Sequence, residues 1–345
     1  MARLLTIDGG RGEGGGQVLR TALALSAATG QGFEIARIRA HRPQPGLRPQ
    51  HLAAVRAAAL VCGARVGGAF DGSPDLRFEP AALAPGDFRF EIATAGALTL
   101  VLQTVLGPLG RAGGPSRVEV TGGTHVSASP SFHYLARHWA PMAARCGLRA
   151  ELELRRAGFY PPGGGEAAAR ALPWGEPAPL VAEKRGALLE VRGVSGSCRL
   201  KGEVGARQAR AVQERLWEAR RLESTWEVVE PPSASPGSFL LVEGVFEEGR
   251  CAFGFIGQRG VRAEVLGERA ARTLLRFLDA EGAVDPHLAD QLALPMALSG
   301  RGGRVSTSEV SLHLETVAEV VSAFGIPARA LGRRGGPGLL EVAPA

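Results

Sequence analysis

Near its start the chain holds a carboxylate inside a glycine-rich turn, Asp8-Gly9-Gly10-Arg11-Gly12-Glu13-Gly14-Gly15-Gly16-Gln17. Leu4-Leu5-Thr6-Ile7 ahead of it reads as a short buried strand, and Val18 to Leu25 behind it has the apolar spacing of a helix. Glycines let backbone N–H groups turn toward an anion, and a helix N-terminus adds partial positive charge. Glu13 would repel that anion unless a divalent cation lay between them, so the run predicts metal-bound nucleotide rather than bare phosphate. Tight packing at a strand-to-helix turn produces similar glycine runs without any ligand.

Arginine carries nearly all of the positive charge: Lys184 and Lys201 are the only lysines among 40 basic residues, which with 34 acidic ones give a net charge of +6. A pI of about 9.7 suits a polyanionic partner. Neither lysine lies in the K-x-D-G of lysine-adenylating ligases, and there is no G-x-x-x-x-G-K-[ST], so any ATP site is not a P-loop. Cys62, Cys146, Cys198 and Cys251 are too scattered for zinc or a disulfide framework. Among the histidines, His133 and His138 fall off one helical face, and His41, His51 and His125 lack metal-ligand spacing; His51 is a candidate pocket residue. No apolar window has the roughly 18 residues of a membrane span, and the N-terminus lacks the pattern of a signal peptide. The expected location is cytoplasmic.

These residues need a scaffold, and the chain repeats one. Three amphipathic helices, Gln50 to Cys62, His133 to Cys146 and Leu314 to Phe324, each end at a glycine and lead into strands. A second series starts near Gln17, Gln103 and Gln291. The expected unit is strand, helix, strand, helix, strand, strand, three times over. The marker glutamines lie 86 and 188 residues apart, and the excess of 102 predicts an inserted domain. The resulting expectation is an α/β (α+β) chain of three βαβαββ repeats, with repeats one and two over 1–180, a small inserted α/β domain over 181–276 and repeat three over 277–345.

Four segments resemble the RNA 3'-terminal phosphate cyclases essentially end to end: Asp8 to Arg20, Arg39 to His51, Gly158-Phe159-Tyr160-Pro161-Pro162-Gly163-Gly164-Gly165, and Leu288-Ala289-Asp290-Gln291-Leu292. The resemblance implies repeats similar to the C-terminal domain of translation initiation factor three. It also implies ATP with Mg²⁺ or Mn²⁺ as cofactors, an RNA bearing a 3'-phosphate as partner, and a histidine nucleophile at His313. In the implied reaction the histidine takes AMP from ATP and passes it to the RNA 3'-phosphate. The vicinal 2'-OH then closes a 2',3'-cyclic phosphate. A position just ahead of the third repeat helix suits His313, because a helix N-terminus favours neutral imidazole.

By the same resemblance, Glu13 holds the metal, and Arg20, Arg39 and Arg42 clamp phosphates with planar guanidinium forks. Gln50, Gln103, Asp290 and Gln291 line the pocket. Asp290 is the candidate to orient the imidazole, while Gln103 and Gln291 are alternatively buried structural amides. Adenine is expected against Pro130, with Tyr134 or His287 on the other face. The chain departs from the family pattern at His287, where relatives tend to carry an aromatic ring. Ala157 replaces a basic residue, and Val317 stands where an amide is common. Three rival readings fit parts of the pattern: a cyclase-like ribosome-biogenesis protein, which lacks the nucleophilic histidine; an enolpyruvyl-type transferase, which needs two three-repeat domains; and a non-enzymatic RNA-binding protein.

Overall fold

The computed structural model describes residues 3–345. Its first stretch runs β1 (Leu5–Asp8), α1 (Gly16–Thr29), β2 (Phe33–Ala36), α2 (Pro49–Cys62), β3 (Arg65–Gly67) and β4 (Leu76–Glu79), in the sheet order β1-β2-β4-β3. The second runs β5 (Asp87–Glu91), α3 (Leu98–Gly110), β6 (Ser116–Gly122), α4 (Phe132–Tyr134), α5 (Ala140–Arg145), β7 (Arg149–Arg156) and β8 (Gly165–Leu172), in the order β5-β6-β8-β7. A π-helical segment, Leu135–Trp139, joins α4 to α5.

After β9 (Leu180–Ala182) comes a different sheet, β10 (Leu188–Cys198), β11 (Thr225–Val229), β12 (Gly237–Phe246) and β13 (Arg250–Ile256), with α6 (Val204–Arg220) between its first two strands and α7 (Ala263–Asp279) following. Then α8 (Pro286–Ser299), β14 (Gly303–Thr307), α9 (Leu312–Ala323), β15 (Ala328–Gly332) and β16 (Gly338–Val342) complete the chain. β9 pairs in parallel with β14, giving the order β15-β16-β14-β9. Three sheets thus share one strand order and one pattern, a parallel pair followed by two antiparallel pairings. The whole is a mixed α/β fold with four mixed sheets.

Two expectations shift. The third sheet takes its first strand, β9, from residues ahead of β10 and so draws on both sides of the stretch expected as an inserted domain. A three-residue strand behind a proline-rich linker is too short to show alternation in sequence. The boundary at 276 falls within α7, which runs to Asp279.

Local chemistry accounts for the helices that matter here. Pro49 and Pro286 occupy first-turn positions, where a missing N–H costs nothing. Gly30, Gly63 and Gly300 close α1, α2 and α8 in the left-handed conformation. Helix α1 packs against α2, α3, α8 and α9 and is buried over most of its length. The insert adds a second core. Alternate residues of β12 divide between the two, Phe239 and Leu241 joining the main core and Leu240 and Val242 packing with α6 and α7. No helix among the described residues is long and apolar enough to cross a membrane.

Candidate active site

A cavity of about 950 Å³ opens where first turns of α1, α2, α3, α4, α8 and α9 meet the insert. Helix N-termini direct unsatisfied N–H groups and partial positive charge toward it. None of α1, α2 or α3 carries an acidic residue in its first turn to offset that charge, whereas the Asp285 carboxylate caps α8. All twelve residues singled out from the sequence line this one cavity.

Glu13 hangs in the loop between β1 and α1. Its backbone N–H donates to Thr316 Oγ1 at 3.0 Å, which ties the loop to α9. Its carboxylate, 7% exposed, pairs with the Arg42 guanidinium. Space here is tight: a Cβ on Gly15 would lie 2.1 Å from Glu13 Oε1, and one on Gly16 would lie 2.5 Å from the Arg20 guanidinium and 2.6 Å from His51 Nε2. A side chain at either position would displace the ends of Glu13, Arg20 or His51 from where they now lie. Among the described residues no cluster of three or more His, Cys, Asp or Glu could hold a metal. A single carboxylate facing a polyanion cavity fits instead an ion whose remaining ligands are phosphate oxygens and water.

The arginines differ in their bonding. Arg20 is half-buried against the cavity, and desolvation lowers its pKa to about 10, with Glu13 and Asp290 opposing the shift, so it remains a cation at neutral pH. Arg39, at φ 55°, donates to the carbonyls of Gln44 (2.6 Å) and Gly46 (3.0 Å). Neither forms an ion pair within 4 Å among the described residues, although the Glu13 carboxylate acts on both at longer range. His51 is buried, accepts the Arg48 N–H on Nδ1 at 3.0 Å, and is kept neutral by burial and by Arg20, Arg39 and Arg48, its pKa lowered to about 3.

His313 lies within the first turn of α9 rather than ahead of the helix, because Ser311 is the N-cap and accepts the Leu314 N–H at 3.1 Å. Its side chain is 49% exposed, and Nδ1 is 3.8 Å from Glu13 Oε1. Desolvation lowers its pKa; Glu13 opposes that shift, while His287, Arg42 and Arg20 reinforce it. The ring is therefore neutral near pH 7, with a lone pair available.

Asp290 does not touch the imidazole. Its Oδ1 accepts the Gln17 side-chain N–H at 2.9 Å, and Gln17 Oε1 in turn meets His313 Nδ1. Burial pushes the Asp290 pKa up to about 8, against the Gln17 hydrogen bond and Arg20. Gln103 and Gln291 bond to each other, Nε2 to Oε1 at 2.6 Å, and both are half-buried in the cavity lining. Each is the sixth residue of its helix, whereas Gln17 is the second of α1, so the repeat marker in the first stretch lies one turn early.

Where adenine is expected, the Pro130 carbonyl accepts the Thr99 hydroxyl at 2.8 Å. Tyr134 is 4% exposed and donates its hydroxyl to Asp285 Oδ1 at 3.3 Å, so its ring has little free face, while His287 is exposed. Asp285 also caps α8 and accepts from His138 (2.7 Å) and the Ala252 N–H (3.2 Å), fixing α8 to the π-helical segment and the insert. Gln50 lies exposed at the rim. Sequence reasoning missed Gln17 as a site residue and missed the insert's wall of Phe253, Phe255, Leu266 and Arg269.

Helix termini, two arginines without an ion pair and the neutral imidazoles of His51 and His313 meet at one cavity, a lining whose chemistry suits phosphate. The chain belongs to the RNA 3'-terminal phosphate cyclase family of enzymes, whose family model matches residues 11–327. It is similar to the RNA 3'-terminal phosphate cyclase of Ralstonia nicotianae, 45% identical over 328 residues and covering 94% of this chain and 92% of that protein. The cyclase of Pseudomonas fluorescens is 46% identical, covering 95% of both chains. That of Pyrobaculum aerophilum is 40% identical, covering 92% of both.

Proposed function

We propose that this chain uses ATP to convert the 3'-terminal phosphate of an RNA to a 2',3'-cyclic phosphate, through a histidine-AMP intermediate on His313. The observation that carries the reading is a neutral, half-exposed imidazole in the first turn of α9, facing the cavity that Arg20 and Arg39 line as cations without an ion pair. His313 attacks the α-phosphorus, a nitrogen–phosphorus bond forms, and the bond to the bridging oxygen breaks to release pyrophosphate. An oxygen of the RNA 3'-phosphate then takes the AMP from the histidine. The vicinal 2'-OH attacks the activated phosphorus, loses its proton and expels AMP.

Arg20, Arg39 and the N–H groups of the helix first turns bind phosphate oxygens and stabilise charge as it develops. Glu13 would hold a Mg²⁺ or Mn²⁺ together with phosphate oxygens, which supplies neutralisation of charge on the leaving pyrophosphate. Arg42, now on Glu13, is the nearest cation to exchange onto phosphate. Adenine lies between Pro130 and His287, since Tyr134 is committed to Asp285. In this reading Gln103 and Gln291 are structural. The three like-ordered sheets are repeats resembling the C-terminal domain of translation initiation factor three, and residues 183–284 form a small inserted domain.

Incubation with α-labelled ATP and Mg²⁺, then denaturing separation, tests the reading. Acid-labile label on wild type, absent from His313→Ala, is the expected result. Folded wild type that takes up no label with either metal would overturn it in favour of a catalytically inactive, cyclase-like RNA-processing or ribosome-biogenesis protein.

A further inference from the structure

We infer that Gln17, held in one orientation by Asp290, is a positioning residue that fixes which nitrogen of His313 carries the proton. The inference rests on the proposed role of His313. Three helices supply the row: Gln17 from the start of α1, Asp290 from α8 and His313 from the first turn of α9.

Asp290 Oδ1 accepts from Gln17 Nε2 at 2.9 Å, so any proton the carboxyl holds sits on Oδ2 and leaves Oδ1 as the acceptor. With its amide nitrogen so engaged, Gln17 can offer only its oxygen to the ring, and that oxygen meets His313 Nδ1. An acceptor there requires a proton on Nδ1, which leaves the lone pair of the neutral ring on Nε2. Nε2 is then the atom that forms the bond to the α-phosphorus as pyrophosphate leaves. Nδ1 keeps its proton, and the positive charge that spreads over the ring strengthens its hydrogen bond to Gln17. The reverse transfer to RNA uses the same protonated ring as leaving group.

If the amide were turned over, its NH₂ would face Nδ1, the proton would move to Nε2, and the nucleophilic lone pair would be lost. In a serine-protease triad a wrong-tautomer histidine costs about 10⁴-fold. Met at position 17 imposes neither tautomer, so the ring still samples the Nδ1-protonated form and a smaller loss, about 10- to 100-fold, is expected.

The first readout needs no ATP. In protein labelled with ¹⁵N-histidine, with His313 assigned by its absence in His313→Ala, wild type should show Nδ1 protonated, and Gln17→Met should shift the proton to Nε2. The second readout is the rate of labelling from α-labelled ATP. Gln17→Met and Asp290→Asn should each lower that rate about 10- to 100-fold at unchanged half-saturating ATP. In Asp290→Asn the new side-chain amide can donate to the Gln17 oxygen and release Gln17 to turn. The double variant Gln17→Glu with Asp290→Asn restores the order, because the introduced amide donates to one oxygen of the introduced carboxylate and the other oxygen accepts from Nδ1. It should label faster than Asp290→Asn alone. A folded Gln17→Met with Nδ1 still protonated, or a double variant no faster than Asp290→Asn, would overturn the inference. If wild type itself takes up no label, the adenylylation reading falls, and the tautomer readout still decides the role of Gln17.

Discussion

Gln103 reaches from α3 to Gln291 on α8, amide to amide, whereas Gln17 reaches from α1 to Asp290, one residue earlier on α8, and on to His313. Both bridges join helices around the same cavity. An amide pair has donors and acceptors on both sides, so turning both over satisfies it equally well and it carries no direction. In the second bridge Asp290 Oδ1 is the acceptor and Gln17 Oε1 faces the ring, so the observed bonds run in one sense from His313 through Gln17 to Asp290. The same side-chain type is therefore adhesive between α3 and α8 and directional between α1 and α9.

His313→Ala bears on the directional bridge most severely, removing the group at its end; label from α-labelled ATP should vanish while circular dichroism stays native. Next in size is Arg20→Ala. Removing one preorganised donor from a site of this kind costs about 100- to 1,000-fold, and the labelling rate should fall by that amount, with a lysine in its place recovering little because the fork geometry is lost. Gln103→Leu probes the adhesive bridge. It should lower stability by about 1 kcal/mol in urea unfolding and leave the labelling rate per folded molecule within about twofold, in contrast to Gln17→Met.

A last expected effect is a pH dependence of stability rather than of labelling. Asp290 is raised from 3.8 to about 8 in the folded chain, so between those values the folded state holds a proton that the unfolded state has released. By linkage its contribution to stability is complete below about pH 4, declines as pH rises and is gone above about pH 8. The stability of Asp290→Asn relative to wild type should therefore improve from about pH 5 to about pH 9. A constant difference across that range would mean that Asp290 is ionised throughout.

Much of the scaffold was legible because its signals are local. The helix expected from Gln50 to Cys62 is found from Pro49 to Cys62, closed by Gly63 in the left-handed conformation. The helix expected at Leu314 starts two residues earlier, since Ser311 caps it and draws His313 into the first turn. Around the cavity, residue types with phosphate chemistry stood out and do lie together. What stayed hidden depends on partners far away in sequence. Gln17 gains its place from groups 273 and 296 residues distant, and in sequence it served only to mark a repeat, one turn out of register. The insert's wall, from Phe253 to Arg269, carries no motif, and only the pairing of β13 with β12 and the packing of α7 on both bring it to the cavity.

One strand ties that wall to everything else. Because successive residues of β12 belong to different cores, neither core can loosen without releasing the strand that the other depends on. The inserted sheet and the helices it faces are then one cooperative unit. Heat should melt them in a single transition, and amide protons of Phe239 to Val242 should exchange with solvent only when the whole chain opens.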